Sequence, residues 1–240
     1  MKYGLQLYSI GDKMQQDMDA ALRAVAEMGY SFVEFAGFHG KTAEEVNELL
    51  AKHGLTLSGT HTGWNEITDN FEETVKYHKA IGNKHIIVPY WDMKTKAKID
   101  EFVDSVNKFQ PMLEAEGIAL SFHNHCDEFL PNEDGLIAHE ELEKRTNIGF
   151  QIDMFWAFFA KRDPVELITR LKDRIKCIHL KDGRADNGNG RALGDGDAPV
   201  AAVRECASKL GLTMVVESES QGIDSLEGVK KCIDYLKSLD

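Results

Sequence analysis

"IGFQIDMFWAFFAKRDPVELITRLKDRIKCIHLKD", residues 148–182, decides the fold. It opens and closes on strand-like apolar runs, "IGFQIDMF" (148–155) and "IKCIHLKD" (175–182). Between them "DPVELITRLKD" (163–173) carries apolar residues at helical spacing. Its Asp then Pro is a good N-cap and first-turn pair. Strand, helix, strand within 35 residues implies a crossover between parallel strands.

The same unit recurs along the chain. Six further strand-like runs are "YGLQLYS" (3–9), "SFVEFAGF" (31–38), "LTLSGTHTG" (55–63), "HIIVPYW" (85–91), "IALSFHNH" (118–125) and "TMVVESES" (213–220). Amphipathic stretches lie between them. "DMDAALRAVAEMG" ends on a glycine that stops a helix. "TAEEVNELLAKHG" does the same, and its Thr42 and Glu45 are spaced as a capping box. Eight strands and about eight helices in 240 residues predict one domain over 1–240, a closed (β/α)₈ TIM barrel. A doubly wound open sheet is the alternative, but it would concentrate polar residues at one switch point. Here they collect at the C-terminal ends of many strands. "DGRADNGNGRALGDGDAP" (182–199) reads as a long loop on the same face, either a mobile surface loop or a lid with glycine hinges.

Alternate residues of a strand share a face. Ser121, His123 and His125 therefore point one way. So do Gln151 with Asp153, Cys177 with His179 and Lys181, and Val215 with Glu217 and Glu219. Glu34 and His61 add to this set from earlier strands. The apolar partners mark the helix-facing side, so the polar set gathers at the barrel mouth, where catalytic groups of such barrels sit. Mixed imidazole and carboxylate donors suit Mn²⁺, Zn²⁺, Co²⁺ or Fe²⁺ better than an all-oxygen cage. Glu128 lies five residues beyond His123. It reaches the mouth only if the chain turns after His125; otherwise it caps the loop.

A net charge of −12 without a basic cluster argues against nucleic acid as a partner. The longest aliphatic and aromatic run, "MFWAFFA" (154–160), is too short to span a bilayer. The N-terminus has no long apolar stretch of the signal-peptide kind. Four scattered cysteines, 126, 177, 206 and 232, read as reduced thiols. The expectation is a cytoplasmic protein with no membrane partner, and the sequence leaves room for a homo-oligomer.

"LQLYS", "FHNHCDEF", "IDMFW", "IHLKD", "GDG" and "VVES", in this order, resemble the xylose isomerase-like sugar phosphate isomerase/epimerase superfamily across essentially the whole chain. The resemblance implies a (β/α)₈ barrel with a divalent metal ion held from strands five to eight. Asp153, His179 and Glu217 are the implied ligands. Ketose 3-epimerases and hydroxypyruvate isomerases place a Glu where this chain has His123. The fourth ligand is then His123 itself or Glu128 from beyond the strand, and Glu128 is preferred. The "HNH" run looks closer to the inosose dehydratase-like members.

These readings together give a metal-dependent isomerase or epimerase of a sugar derivative, with a dehydratase of a keto-sugar or inosose as the alternative. A metal-dependent endonuclease and a non-catalytic sugar-binding barrel are the remaining rivals. Base catalysis is expected from His123, His125 or Glu217, and oxyanion stabilisation from Lys181. The small-molecule sugar is expected to meet Glu34, His61, Trp156 and Arg191.

Overall fold

The computed structural model describes residues 1–240. Eight parallel strands close into a barrel. They are β1 (Gly4–Gln6), β2 (Phe32–Ala36), β3 (Thr56–His61), β4 (His85–Val88), β5 (Ala119–His123), β6 (Gly149–Asp153), β7 (Ile175–Leu180) and, after a short hairpin of β8 (Asp182–Gly183) with β9 (Gly190–Arg191), β10 (Thr213–Val216). β1 pairs β2 on one side and β10 on the other, and β10 pairs β7, which seals the ring.

The predicted helix signals are found where the sequence placed them. Met18–Met28 is capped by Asp17 and ends at left-handed Gly29. Ala43–His53 carries the Thr42/Glu45 capping box. Pro164–Leu171 starts at Asp163, whose carboxylate accepts from the Val165 and Glu166 amides. Three crossovers split into paired helices, 11–16 with 18–28, 64–69 with 71–80, and 154–159 with 164–171. A single cluster of 57 buried side chains fills the space between barrel and helices. No helix is long and apolar enough to cross a membrane.

Every predicted strand stops short of its expected C-terminal end. β10 ends at Val216 rather than 220, and β5 at His123 rather than 125. His125, Lys181 and Glu217 therefore lie just past their ladders, where the backbone leaves the sheet toward the mouth. Two register shifts accompany this. Ser58 is the extra residue on β3 opposite Val33/Glu34, and Lys176 the extra residue on β7 opposite Phe150/Gln151. Such bulges re-aim side chains at barrel rims.

The 182–199 segment is built rather than loose. The buried Asp182 carboxylate accepts from the amides of Gly183, Gly194, Gly196 and Ala198 at 2.8–3.1 Å. A Cβ on Gly196 would lie 2.1 Å from Asp182 Oδ1. That glycine thus serves close approach, which corrects the hinge expectation there.

Candidate active site and metal centre

His123 on β5, Asp153 on β6, His179 on β7 and Glu217 just after β10 bring one donor atom each within 4.8 Å of one another. Parallel pairing does this: Asp153 stands opposite His179, and His179 opposite Val215, two residues before Glu217. All four side chains are at most 5% exposed.

Asp153 Oδ2 is buried without a hydrogen-bond partner, and His179 Nδ1 makes no well-directed hydrogen bond although Glu217 Oε2 lies 2.7 Å away. The other Asp153 oxygen accepts from the Trp156 amide at 2.9 Å. Asn124 holds the Asp153 backbone at both polar atoms, accepting from its N–H at 3.1 Å and donating to its carbonyl at 3.2 Å. His179 lies between two carboxylates, with Nε2 2.7 Å from Glu34 Oε1 and Nδ1 2.7 Å from Glu217 Oε2. Burial works against a charged His179, but these carboxylates outweigh it and raise its pKa to about 10. Burial likewise lifts Asp153 to about 7, against the pull of Lys181. Glu217 is held well below the usual range, because Lys181 and His179 overcome its burial. A pocket of two nitrogens and two carboxylates, with an orphaned carboxylate oxygen and an attraction for positive charge, fits a divalent transition ion.

Glu128 does not join this set. It sits on the 3₁₀ turn Asp127–Phe129, and its Oε2 accepts from the His125 amide at 2.8 Å. His123 occupies the fourth position in its place. The physical reason is local: the chain does turn after His125, but the turn is closed by Glu128 itself, which consumes the carboxylate.

Glu34 was expected to meet substrate; it is not among the residues that line the mouth cavity. It is 0% exposed, and its oxygens receive Gln6 Nε2 at 2.7 Å, Gln151 Nε2 at 2.7 Å and the His179 contact. Burial opposes its ionisation, but His179 and His61 bring its pKa down to about 2. It lies beneath the mouth, bracing the histidines. The imidazoles of His61, His123 and His179 also approach within 4.8 Å. Their acceptors are Glu34 and Gln151, so they form a hydrogen-bonded layer, not a second metal site.

His61, His123, His125, Glu217, Glu219, Tyr8 and Tyr90 line a cavity of about 370 Å³ at the mouth. His125 Nδ1 is buried without a partner, as is Trp156 Nε1. Desolvation lowers the His125 pKa from its ordinary value. Lys181, 1% exposed, donates to Glu217 Oε1 at 2.7 Å and Glu219 Oε1 at 2.8 Å. Its Nζ sits 5.1 Å from the Trp156 ring. Arg191 lies apart on β9 and donates to the Gly190 carbonyl; neither it nor Trp156 is part of the central cavity wall. Gln6, Asn124 and Gln151 were not among the expected site residues. A glutamine in the middle of an apolar run, as in "LQL" and "FQI", was the available signal.

Comparisons with known proteins agree with this fold. The sequence profile described as Xylose isomerase-like TIM barrel matches residues 22–239. An inosose dehydratase of Geobacillus kaustophilus is 24% identical over 202 residues, covering 74% of this chain and 65% of that protein's length. An inosose dehydratase of Mesomycoplasma hyopneumoniae (strain 7448) is 24% identical over 267 residues, covering 92% and 88%. A crystal structure of a sugar phosphate isomerase/epimerase from Parabacteroides distasonis superposes with a TM-score of 0.86 at 26% identity, covering 99% of this chain and 98% of that one.

Proposed function

Because the chain belongs to the xylose isomerase-like TIM barrel family, we propose that it is a divalent-metal-dependent enzyme. In this reading it moves a proton beside the carbonyl of a sugar or cyclitol derivative, as an isomerase or epimerase. The observation that carries the reading is the buried cluster of His123, Asp153, His179 and Glu217, with Asp153 Oδ2 unpartnered, at the floor of a mouth lined by His125. His123, Asp153, His179 and Glu217 would hold the ion, with Mn²⁺, Zn²⁺ and Co²⁺ as candidates. When bound, it would draw charge from a carbonyl and a neighbouring hydroxyl and so acidify the C–H beside them.

The chain's own residues supply the rest. His125 is the free imidazole of the mouth, with an unpartnered Nδ1 and a depressed pKa that keeps it in the base form at neutral pH. Lys181 is fixed by two carboxylates, so its charge is available to a developing oxyanion without being free to wander. Trp156 Nε1–H is a donor still without an acceptor, and its ring packs 6.1 Å from that of His125, behind the cavity wall. The test is proton exchange. Metal-loaded protein in D₂O should wash deuterium into the carbon next to the carbonyl of a turned-over ketose or inosose, followed by NMR. Turnover without any solvent deuterium in recovered substrate or product would overturn the proton-transfer reading.

A second outcome of the same chemistry, loss of a β-hydroxyl as water, has its own support. Epimerisation needs proton donors on both faces of one carbon, and strand five supplies an imidazole, His123, where a second carboxylate would stand. The curated relatives above are inosose dehydratases. A product lighter by one water, detected by mass spectrometry, selects dehydration over isomerisation.

A further inference from the structure

The buried amide of Gln151 and the carboxylate of Glu34 form a chain of hydrogen bonds that leads to both histidines of the metal centre. Its polarity can be read from one end to the other. The Tyr8 amide donates to Gln6 Oε1 at 2.9 Å. That fixes the Gln6 amide, so its Nε2–H is what meets Glu34 Oε1 at 2.7 Å. Gln151 meets the other Glu34 oxygen at 2.7 Å. Only its NH₂ end can face a carboxylate oxygen this closely, so its carbonyl must point the other way. There Gln151 Oε1 contacts His123 Nδ1 at 3.0 Å and His61 Nε2 at 2.7 Å. An acceptor between two imidazole nitrogens requires both to carry protons.

His123 is thereby left with Nε2 as its only lone-pair atom. On the other branch His179 Nε2 lies 2.7 Å from Glu34 Oε1, so it carries a proton held by a carboxylate beneath the site, and Nδ1 is the nitrogen that faces the cluster, 2.7 Å from Glu217 Oε2. A cation taking its place between them would displace the Nδ1 proton and leave the Nε2–H on Glu34. The register shifts on β3 and β7 fall directly opposite Glu34 and Gln151, where bulges aim side chains into a barrel.

We propose that Gln151 and Glu34 are positioning residues that set opposite tautomers on the two histidine ligands, so that His123 offers Nε2 and His179 offers Nδ1 to one divalent cation. The inference rests on the metal-centre reading above. It adds that the ligand atoms are selected from beneath, by a layer that never touches substrate. Buried acceptors of this kind fix ring orientation and raise ligand basicity.

The isosteric change Glu34→Gln tests it most sharply. If the new NH₂ faces Gln151, that amide must rotate, its own NH₂ then meets His123 Nδ1, and Nε2 becomes the protonated atom. If the new NH₂ faces His179, Nε2 there must accept, and Nδ1 becomes protonated. Either orientation spoils one ligand. Gln151→Met removes the acceptor shared by His123 and His61 and leaves the Glu34–His179 contact, so of the two ligands only His123 is affected. Cys177→Ala is the control: Cys177 Sγ contacts Gln151 Nε2 at 3.0 Å in the same buried layer but lies outside the relay.

The experiment is competitive Zn²⁺ titration of the folded variants, with ¹⁵N NMR of the imidazoles in the Zn²⁺-loaded wild type and the Gln151→Met protein. Expected are coordination at His123 Nε2 and His179 Nδ1, roughly 10- to 100-fold weaker Zn²⁺ binding in Glu34→Gln and Gln151→Met, and wild-type affinity in Cys177→Ala. In Gln151→Met the His123 signature should change, together with that of His61, while that of His179 stays as in the wild type. Undiminished affinity in both relay variants, equal loss in Cys177→Ala, or the opposite nitrogens on the metal overturns the relay while leaving the metal centre standing. A wild-type protein that takes up no Zn²⁺ overturns both.

Discussion

Asp153 and His179 are direct partners across the β6–β7 ladder, and each turns one buried atom into the cluster, Oδ2 with no hydrogen-bond partner and Nδ1 2.7 Å from Glu217 Oε2. Each atom's sister is already bonded, to the Trp156 amide in one case and to Glu34 in the other. An unpaired carboxylate oxygen and an imidazole nitrogen on adjacent strands, both at the mouth, mark a place built for a third party.

The first prediction follows. The purified protein should bind about one divalent transition ion per chain, as the mixed nitrogen and carboxylate donor set suggests. Elemental analysis after dialysis checks it. Asp153→Asn and His179→Gln should both abolish retention, and the wild type's melting temperature should rise with added metal. Retention in both variants would place the ion elsewhere.

His123 and Glu128 separate cleanly on mutation. His123→Ala should weaken metal binding by at least roughly 10-fold, taking the loss expected for a supporting group as a floor. Glu128→Gln should leave binding unchanged, because an amide oxygen can still accept from the His125 N–H. Glu128→Ala leaves that N–H without its acceptor and should cost about 1–3 kcal/mol in a denaturant melt. Metal loss in Glu128→Gln with retention in His123→Ala would reverse the assignment.

For His125 the expected effect is on rate alone. His125→Asn should keep the bound ion and lower turnover by roughly 10²- to 10⁴-fold, the scale for losing a general base. Solvent deuterium exchange should fall in proportion. An unchanged exchange rate moves the base to Glu217.

Asp182 holds the 182–199 segment through four amides. Asp182→Ala should expose that segment to proteolysis, with nicks mapping between 184 and 197, since several buried N–H groups lose their acceptor at about 1–3 kcal/mol each. In the wild type, cleavage there should be slow with or without ligand. Fast cleavage that ligand suppresses would restore a mobile lid.

His78 gives a pH signature away from the site. Its Nδ1 accepts from Asn83 Nδ2–H at 3.0 Å, a bond that protonation destroys. Desolvation lowers its pKa from 6.5 to about 4. Between those values the unfolded chain binds the proton and the native protein does not, so stability falls as pH drops from 6.5 toward 4. His78→Asn should flatten that part of the curve, measured by urea midpoints at stepped pH. An unchanged slope assigns the acid sensitivity to other groups.

Much of the architecture was legible because its signals are short-range. Capping at Thr42 and Asp163 and the stop at Gly29 are contests within one turn of backbone, settled by residues three or four apart. Strand C-terminal ends were read too long because "HNH", "LKD" and "VES" keep alternating after the ladder ends. What draws those residues out of the sheet is the mouth, which the local pattern does not encode. The same limit explains Glu128. Its parity was read correctly as wrong for a continued strand, but its choice between metal and the His125 amide depends on a turn only three residues long.

The sequence by itself determined a closed eight-unit barrel and the gathering of Asp153, His179, Glu217 and the "HNH" histidines at one end, since periodicities of two and 3.6 fix which faces are buried. Only the tertiary structure decided that His123, and not Glu128, joins Asp153, His179 and Glu217 in one cluster, and that Glu34 turns inward to the histidines. These outcomes depend on contacts 28 to 145 residues apart in the chain. A buried carboxylate or amide takes whichever distant partner satisfies it, because an unpaired one costs more than any local preference.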